Sequence, residues 1–555
     1  MNNKKTTLIL LFLIIILGCF LRFYKLGSIP PGPEWDEASV GYNAYSIAQT
    51  GRDEWGNKLP LIFPAFGDYK NPLYIYLTAG VVKLFGLNIT TTRFINTLTG
   101  SLLILVWFFI ADLIFKNKKI SLLTAFLLAV SPFGIFYSRI AGDGMMLSVF
   151  LIGAGFLAEL YFLKTKRLLL FIISILLLIL SMFSYNLARI VSPLLMITIF
   201  IINFISVKTN RRWFVIPLTI CLLSLFVIYK QSAISISSRL QYVGIFGQKK
   251  GVVLQINEFR DHDKNNLLSR IFHNKVTFFG VTLSSNYLAM FSSDFLVNFK
   301  HQTDVSESFW PPLHLILLPF YYLGLILLIG KITGARNRRE RLTYLLLLAL
   351  ILVAPIPSAI TEGGSGKRDL AALGTWEILS AYAAVYLLGR KKLSATIVII
   401  ILAVNLYAYF KFFYYTYPRD YGQIYAAREN KICQLEKQNY SRFDYFIVPR
   451  KIDNVSYIFP LFCQQYSPSK YWQERQFTTK DSWFIVNRFD KYLFVDDTTT
   501  KDLAGLKLKN KTVAVFMNAD ERNLFVLQPN NLRFSPVLPV LKYNDVSLYM
   551  FSMKL

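Results

Sequence analysis

The stretch PLYIYLTAGVVKLFGL, residues 72–87, decides how this chain is threaded. It is apolar, yet it contains Lys83 and is punctuated by Gly80 and Gly86, and it is short for a helix that must cross ~30 Å of hydrocarbon. The blocks around it are different. TLILLFLIIILGCFL (7–21), NTLTGSLLILVWFFIADLIF (96–115) and LLLFIISILLLILSMFSYNL (168–187) have the length and purity of membrane-spanning helices. The 555-residue chain is 54% hydrophobic and carries 60 Lys and Arg against 33 Asp and Glu, for a net charge of +27. That excess does not mark a nucleic-acid binder, because most cations lie in short connectors between apolar blocks, as the positive-inside bias of membrane proteins demands.

Spans are expected at 6–23, 93–115, 119–137, 145–163, 167–187, 190–207, 212–230, 312–331, 341–360, 371–389 and 393–413. If 72–87 does not span and the N-terminus is cytoplasmic, the connectors KNKK (116–119), KTKR (164–167), KTNRR (208–212), KITGARNRRER (331–341) and GRKK (389–392) all fall inside. If it spans, all five fall outside. We therefore read 72–87 as a helix lying in the outer interface. Loops 24–92 and 231–311 and the whole segment 414–555 are then extracytoplasmic. The expected fold is mainly α: a plasma-membrane, multi-pass bundle of about eleven helices over 1–413 with outer interfacial helices, followed by a small α/β domain over 414–555. The last part shows strand-like runs at 443–449, 491–497, 512–518, 523–529 and 546–553, and a helical one at 457–466. The apolar run at the N-terminus has no small-residue cleavage site after it, so it reads as a retained first helix. Of the four cysteines, Cys433 and Cys463 can pair as a disulfide if the last segment is outside.

This threading singles out cations that break the inside bias. Arg139 in SRIAGDG, Arg189 in YNLARI, Lys367 and Arg368 in GGSGKRD, and Lys70 in GDYKNPLY all sit at or near outer ends of spans. One such cation is accounted for by snorkelling to headgroups. Several outer turns that each carry one point to a shared site for a phosphate at headgroup depth. Acidic residues gather on the same side: Glu34, Asp36 and Glu37 in EWDEA, and Asp143 at the outer mouth of the third span. They suit a general base with a neighbour that tunes it, or, for EWDEA, the N-terminal cap of the helical-looking ASVGYNAYSIAQ. GRDEWGNKLP (51–60) is a turn-rich loop able to pack over such a site. Glu377, about two turns into a span, is a further functional candidate, whereas Asp112 and Glu159 lie near inner ends. His262, His273, His301 and His314 fall in or beside the 231–311 loop without ligand spacing, so no cofactor is required and a divalent metal is allowed but not predicted.

WDEASVGYNAYSIAQTGRDEWGNKLPLIFPAFGDYKNPLYIY (35–76) resembles the first outer loop of GT-C-fold glycosyltransferases that use lipid-linked sugars, relatives of the protein mannosyltransferases and of the aminoarabinose transferase acting on lipid A. The resemblance continues through SRIAGDGMMLSVF (138–150), SYNLARIVSPLL (184–195), NYLAMFSSDFL (286–296) and residues 354–381. It implies transfer of a sugar from a polyprenyl-phosphate donor to an acceptor outside the membrane, with inversion. It implies Asp36 as the base, accompanied by Glu37, Asp143 at the second acidic position, and Lys70 and Arg368 on the lipid phosphate. The chain departs from the pattern at Asn71, which separates Lys70 from Pro72, and at Asn186 and Ser365, where relatives often carry His. Two other readings stand beside this one. A transporter or flippase of lipid-linked saccharides would favour charges at the bilayer midplane and internal repeats, and neither is evident. A non-catalytic envelope scaffold would account for Asn186 and Ser365.

Overall fold

The computed structural model describes residues 4–206, 214–224, 226, 245, 249–298, 311–361, 366–389, 392–420, 422, 427–449, 455–480, 483–495, 511–518, 534–543 and 546–554. They form two compact units: 1–24, 96–140 and 144–409 make the first, and 25–95, 141–143 and 410–555 the second.

The first unit is a helical bundle. Among the described residues of the chain, seven helices are long and apolar enough to cross a membrane: Lys4–Phe23, Ile89–Phe115, Gly142–Thr165, Ala188–Ser206, Leu315–Thr333, Arg338–Ala359 and Leu393–Asp420. Two more expected spans, 119–137 and 371–389, are bent helix pairs, Lys118–Ala129 with Pro132–Ser138 (55°) and Gly366–Ala372 with Thr375–Leu388 (51°). The first bend has a clear cause. Pro132 has no N–H to give the carbonyl of Leu128, and buried Arg22 supplies the missing donors, bonding the carbonyls of Leu128 at 2.9 Å and Ala129 at 3.0 Å. The expected spans 167–187 and 212–230 differ more. Leu168–Met182 has 15 residues, about 22 Å of helix, because the chain turns at 183–184. Val215–Ser224 is also short, and most of the rest of 212–230 lies outside the described residues. Leu8, Phe12, Ile399, Ile400 and Val404 are among the large apolar side chains left uncovered on the long helices. Apolar surface on this scale is covered by lipid tails, and the chain is a multi-pass membrane protein.

Glu377 plays a local part in this unit. Its Oε2 accepts the backbone N–H of Gly374 at 2.7 Å and caps its own helix. Asp112 pairs with Lys118 at 2.7 Å.

The second unit contains a helix (Trp35–Thr50), a hairpin of strands β1 (Phe63–Ala65) and β2 (Asp68–Lys70), the helix Pro72–Phe85, and a C-terminal sheet. Asn71 is the buried N-cap of Pro72–Phe85, and Pro72 occupies its first turn, where a missing N–H costs nothing. Among the described residues the sheet has seven strands: β3 (Tyr445–Pro449), β4 (Gln476–Lys480), β5 (Trp483–Phe489), β6 (Tyr492–Val495), β7 (Thr512–Asn518), β8 (Phe534–Tyr543) and β9 (Val546–Lys554), in the order β4-β5-β6-β3-β7-β9-β8. Central β3 runs parallel to β6 and β7, and the other pairs are antiparallel. The expected strands at 443–449, 491–497, 512–518 and 546–553 are present as β3, β6, β7 and β9, and 457–466 holds the helix Ile458–Cys463. The run at 523–529 lies outside the described residues. Strand β8 escapes a pattern reading because it contains Pro536 and Pro539. It sits at the sheet edge, with register shifts beside both prolines, where the absent N–H groups are tolerated. A Cys433–Cys463 disulfide ties the helix Ala427–Asn439 to Ile458–Cys463, with Cα atoms 5.8 Å apart.

Candidate active site

The site is built on three short devices of the second unit. The first is the start of the helix Trp35–Thr50. Glu34 is its N-cap and accepts the N–H of Asp36 at 3.0 Å, while Glu37 reaches back to the N–H of Glu34 at 3.2 Å. This reciprocal cap satisfies donors that the first turn would otherwise leave open. It leaves Asp36 in the first turn with its side chain 36% exposed, where the helix dipole favours a carboxylate.

The second device is the hairpin. Its two turn residues, Phe66 (φ 51°) and Gly67 (φ 72°), both have positive φ, the signature of the tight turn that matches strand twist. Cross-strand pairing of Phe63 with Lys70 fixes Lys70 at the end of β2.

The third is the turn Gly142–Asp143–Gly144. All three residues have positive φ, with Asp143 at φ 54°, ψ 20°. The flanking glycines accept this region freely, and Asp is one of the few other residues that visits it.

These devices converge on one ammonium group. Lys70 Nζ donates to Asp143 Oδ1 at 2.8 Å and to Asp36 Oδ1, with 5% of the Lys70 side chain and 14% of the Asp143 side chain exposed. Burial alone would lower the Lys70 pKa, but Asp143 and Asp36 more than offset it and hold the ammonium above its ordinary range. The group is thus a fixed positive charge, shared by two carboxylates, one of which is open to solvent.

Glu37 has a different environment from Asp36. Arg93 clasps it with Nε at 2.9 Å and Nη2 at 2.7 Å, and the N–H of Ala141 donates to it at 2.6 Å. Arg93 is fully buried and also bonds the carbonyls of Leu26, Pro30 and Gly32. The Glu37 carboxylate therefore ties loop 26–32 and the 141–143 turn to the helix that carries Asp36. Arg93 was not singled out in the sequence. Its only signal was a cation at the start of an apolar block, and such a residue ordinarily reads as an interface anchor.

Loop 51–60 contributes a buried acid. Glu54 accepts Tyr457 Oη at 3.1 Å and Asn43 Nδ2 at 3.2 Å. Burial, with a smaller push from Asp53, raises it to about 8, against the pull of Tyr457 and Lys70.

The remaining expected cations belong to the first unit. Arg139 is buried and spends Nη1 on the carbonyls of Leu21 (3.0 Å) and Arg22 (2.8 Å), at the C-terminal end of the helix Lys4–Phe23. Arg189 is part-buried near the Met182 carbonyl. Lys367 and Arg368 are half-buried in the short helix Gly366–Asp369. Ser365 and His301 lie outside the described residues. Among the described residues no group of three or more His, Cys, Asp or Glu is placed to hold a metal ion.

A bundle of apolar helices, with short helices and a hairpin after the first of them and a mixed sheet at the end, is the GT-C fold. Crystal structures of ArnT from Cupriavidus metallidurans share it. The form bound to undecaprenyl phosphate matches with a TM-score of 0.52 at 11% identity, covering 97% of each chain. The apo form matches at 0.51 and 12%, covering 99% of this chain and 98% of that one. The apo oligosaccharyltransferase of Archaeoglobus fulgidus matches at 0.51 and 13%, over 83% of this chain, which spans 64% of that protein's length. No protein-family model and no curated protein sequence matches the chain.

Proposed function

We propose that this protein is a glycosyltransferase that moves a sugar from a polyprenyl-phosphate donor to an acceptor hydroxyl on the outer face of the plasma membrane. The observation that carries the reading is the Lys70 ammonium held between Asp36 and Asp143, with Asp36 the exposed member. A fixed cation beside a carboxylate is what inverting displacement needs. The acceptor oxygen attacks the anomeric carbon and its proton passes to Asp36. The bond from that carbon to the phosphate oxygen breaks, and the electron pair leaves with the polyprenyl phosphate, whose charge Lys70 stabilises. Electrostatic stabilisation of the departing phosphate is the largest expected catalytic term, and Arg189, Lys367 and Arg368 are the further cations assigned to it. Asp143 orients Lys70, and Glu37 with Arg93 positions the loop. The bound lipid of the C. metallidurans ArnT structure, undecaprenyl phosphate, is a polyprenyl phosphate, the chemical class of the leaving group named here. In this reading the N-terminus is cytoplasmic, residues 72–87 lie in the outer interface, 1–413 form the transferase domain and 414–555 an extracytoplasmic domain.

Purified protein in liposomes, supplied with radiolabelled polyprenyl-phosphate hexose and a membrane extract as acceptor source, should transfer label. Asp36→Asn should lower the rate by about 10³-fold or more, the scale of losing general base catalysis at its upper range. Full transfer by Asp36→Asn would refute the base assignment. A reporter active only outside the membrane should be active when fused after residue 420 and silent after residue 335. The reverse pattern overturns the orientation.

A further inference from the structure

The hairpin that presents Lys70 has two strands of three residues each. A hairpin of that size has no stable geometry of its own in water, so its shape is set by what it packs on. Its tip is gripped from the C-terminal segment. The Trp483 indole lies so close over Gly67 that a Cβ there would come within 2.3 Å of Nε1. The Phe66 ring meets Tyr457 edge-on, centroids 6.0 Å apart, and on its other connection lies 6.0 Å from the Lys70 ammonium.

A second grip acts on the helix that carries Asp36. Tyr457 donates its hydroxyl to Glu54, and Glu54 is locked to Asn43 of that helix by reciprocal bonds: Asn43 Nδ2 to Oε2, and the Glu54 N–H to Asn43 Oδ1 at 3.0 Å. The Glu54 carbonyl is in turn held by Trp472 Nε1 at 3.1 Å and Arg475 Nη1 at 2.8 Å. Every polar atom of a fully buried residue is thus committed, half to the Asp36 helix and half to the C-terminal segment.

We infer that Tyr457 and Trp483 are positioning residues of the active site: Trp483 on Gly67, and Tyr457 on Phe66 and Glu54, set the hairpin and the Asp36 helix so that one ammonium reaches both Asp36 and Asp143. The inference rests on the proposed reading of the site for its catalytic meaning. The terminal domain is then part of the machinery that holds the donor phosphate, in addition to any part in choosing an acceptor. Trp483, Tyr457 and Glu54 touch no substrate and act through Lys70 and Asp36.

The test uses full-length protein in nanodiscs and two readouts. Hydrogen–deuterium exchange without ligand reads the hairpin directly, and binding of undecaprenyl phosphate reads its consequence. Trp483→Ala should speed exchange across 63–71 and weaken undecaprenyl phosphate by about tenfold or more, since an ångström of misplacement costs a preorganised site on that scale or beyond. Trp483→Phe, which keeps a ring over Gly67, should recover most of both. Gly67→Ala should reproduce the loss with Trp483 intact. Unchanged exchange at 63–71 in Trp483→Ala overturns the inference. So does faster exchange with undecaprenyl phosphate binding intact, because Trp483 then only supports the domain. If wild-type protein and Lys70→Met bind undecaprenyl phosphate equally poorly while exchange at 63–71 responds as expected, the reading of the site fails and the grip on the hairpin stands.

Discussion

Replacing Arg93 by Met tests how the loop around the site is held together. The substitution keeps most of the apolar stem and removes the guanidinium. Five hydrogen bonds go with it: two to Glu37 at 2.9 and 2.7 Å, and those to Leu26 (3.0 Å), Pro30 (2.9 Å) and Gly32 (2.7 Å). Both partners are buried, with side-chain exposures of 0% and 3%. Removing one member of a buried ion pair costs about 3–5 kcal/mol, chiefly because the other charge is left uncompensated. Three carbonyls deprived of a donor add roughly 1 kcal/mol each at the lower limit for unsatisfied buried groups. The expected loss, about 6–8 kcal/mol, rivals the whole stability of an ordinary domain. Arg93→Lys should recover only part of it, because one ammonium cannot span the carboxylate fork and three carbonyls. The double variant Glu37→Gln with Arg93→Met should cost less than the sum of the single changes, with a coupling of about 2–3 kcal/mol. Unfolding by sodium dodecyl sulfate in mixed micelles, followed by tryptophan fluorescence, measures all five proteins: wild type, Arg93→Met, Arg93→Lys, Glu37→Gln and the double variant. Additive single changes, or an Arg93→Met protein as stable as wild type, would sink the reasoning that this pair is the tie of the loop.

Two further outcomes follow from other parts of the molecule. Glu436 is fully buried in the terminal domain, and burial raises its pKa to about 8 against the opposing pull of the Tyr492 hydroxyl. The folded protein therefore holds this proton more tightly than the unfolded chain does. Its contribution is complete below an ordinary Glu pKa of ~4.3 and is lost as pH rises through about 8. Melting temperature should fall between pH 5 and pH 8.5 less steeply in Glu436→Gln than in wild type, and parallel curves would contradict the assignment. In the membrane bundle, a Cβ on Gly324 would meet the backbone of Leu379 at 2.4 Å, whereas one on Gly330 of the same helix meets nothing within 4 Å. Gly324→Ala should destabilise by about 1–3 kcal/mol through overpacking, and Gly330→Ala should be neutral or better. Equal effects at the two positions would show that close helix approach is not what fixes this glycine.

The amino-acid order by itself determined that the chain is a membrane bundle with a terminal α/β part, because both signals are local. Span length and purity follow from bilayer thickness, and β3, β6, β7 and β9 are short apolar runs that no tertiary context reverses. It also brought Asp36, Lys70 and Asp143 into view, through charges read at the ends of apolar blocks. Their different roles were not legible. Asp36 and Glu37 are neighbours of the same chemical type. Only the fold shows that Glu37 faces Arg93 and is buried, whereas Asp36 faces Lys70 and is the more exposed of the two. Arg139 and Lys70 both read as outer cations, yet Arg139 is committed to carbonyls of the first helix end. The ties from Tyr457 and Trp483 to Glu54 and Gly67 run across some 400 residues of sequence. Contacts at that separation leave no periodicity or spacing behind. They exist because burying an acid and a bare glycine face requires partners, and only the folded chain chooses which.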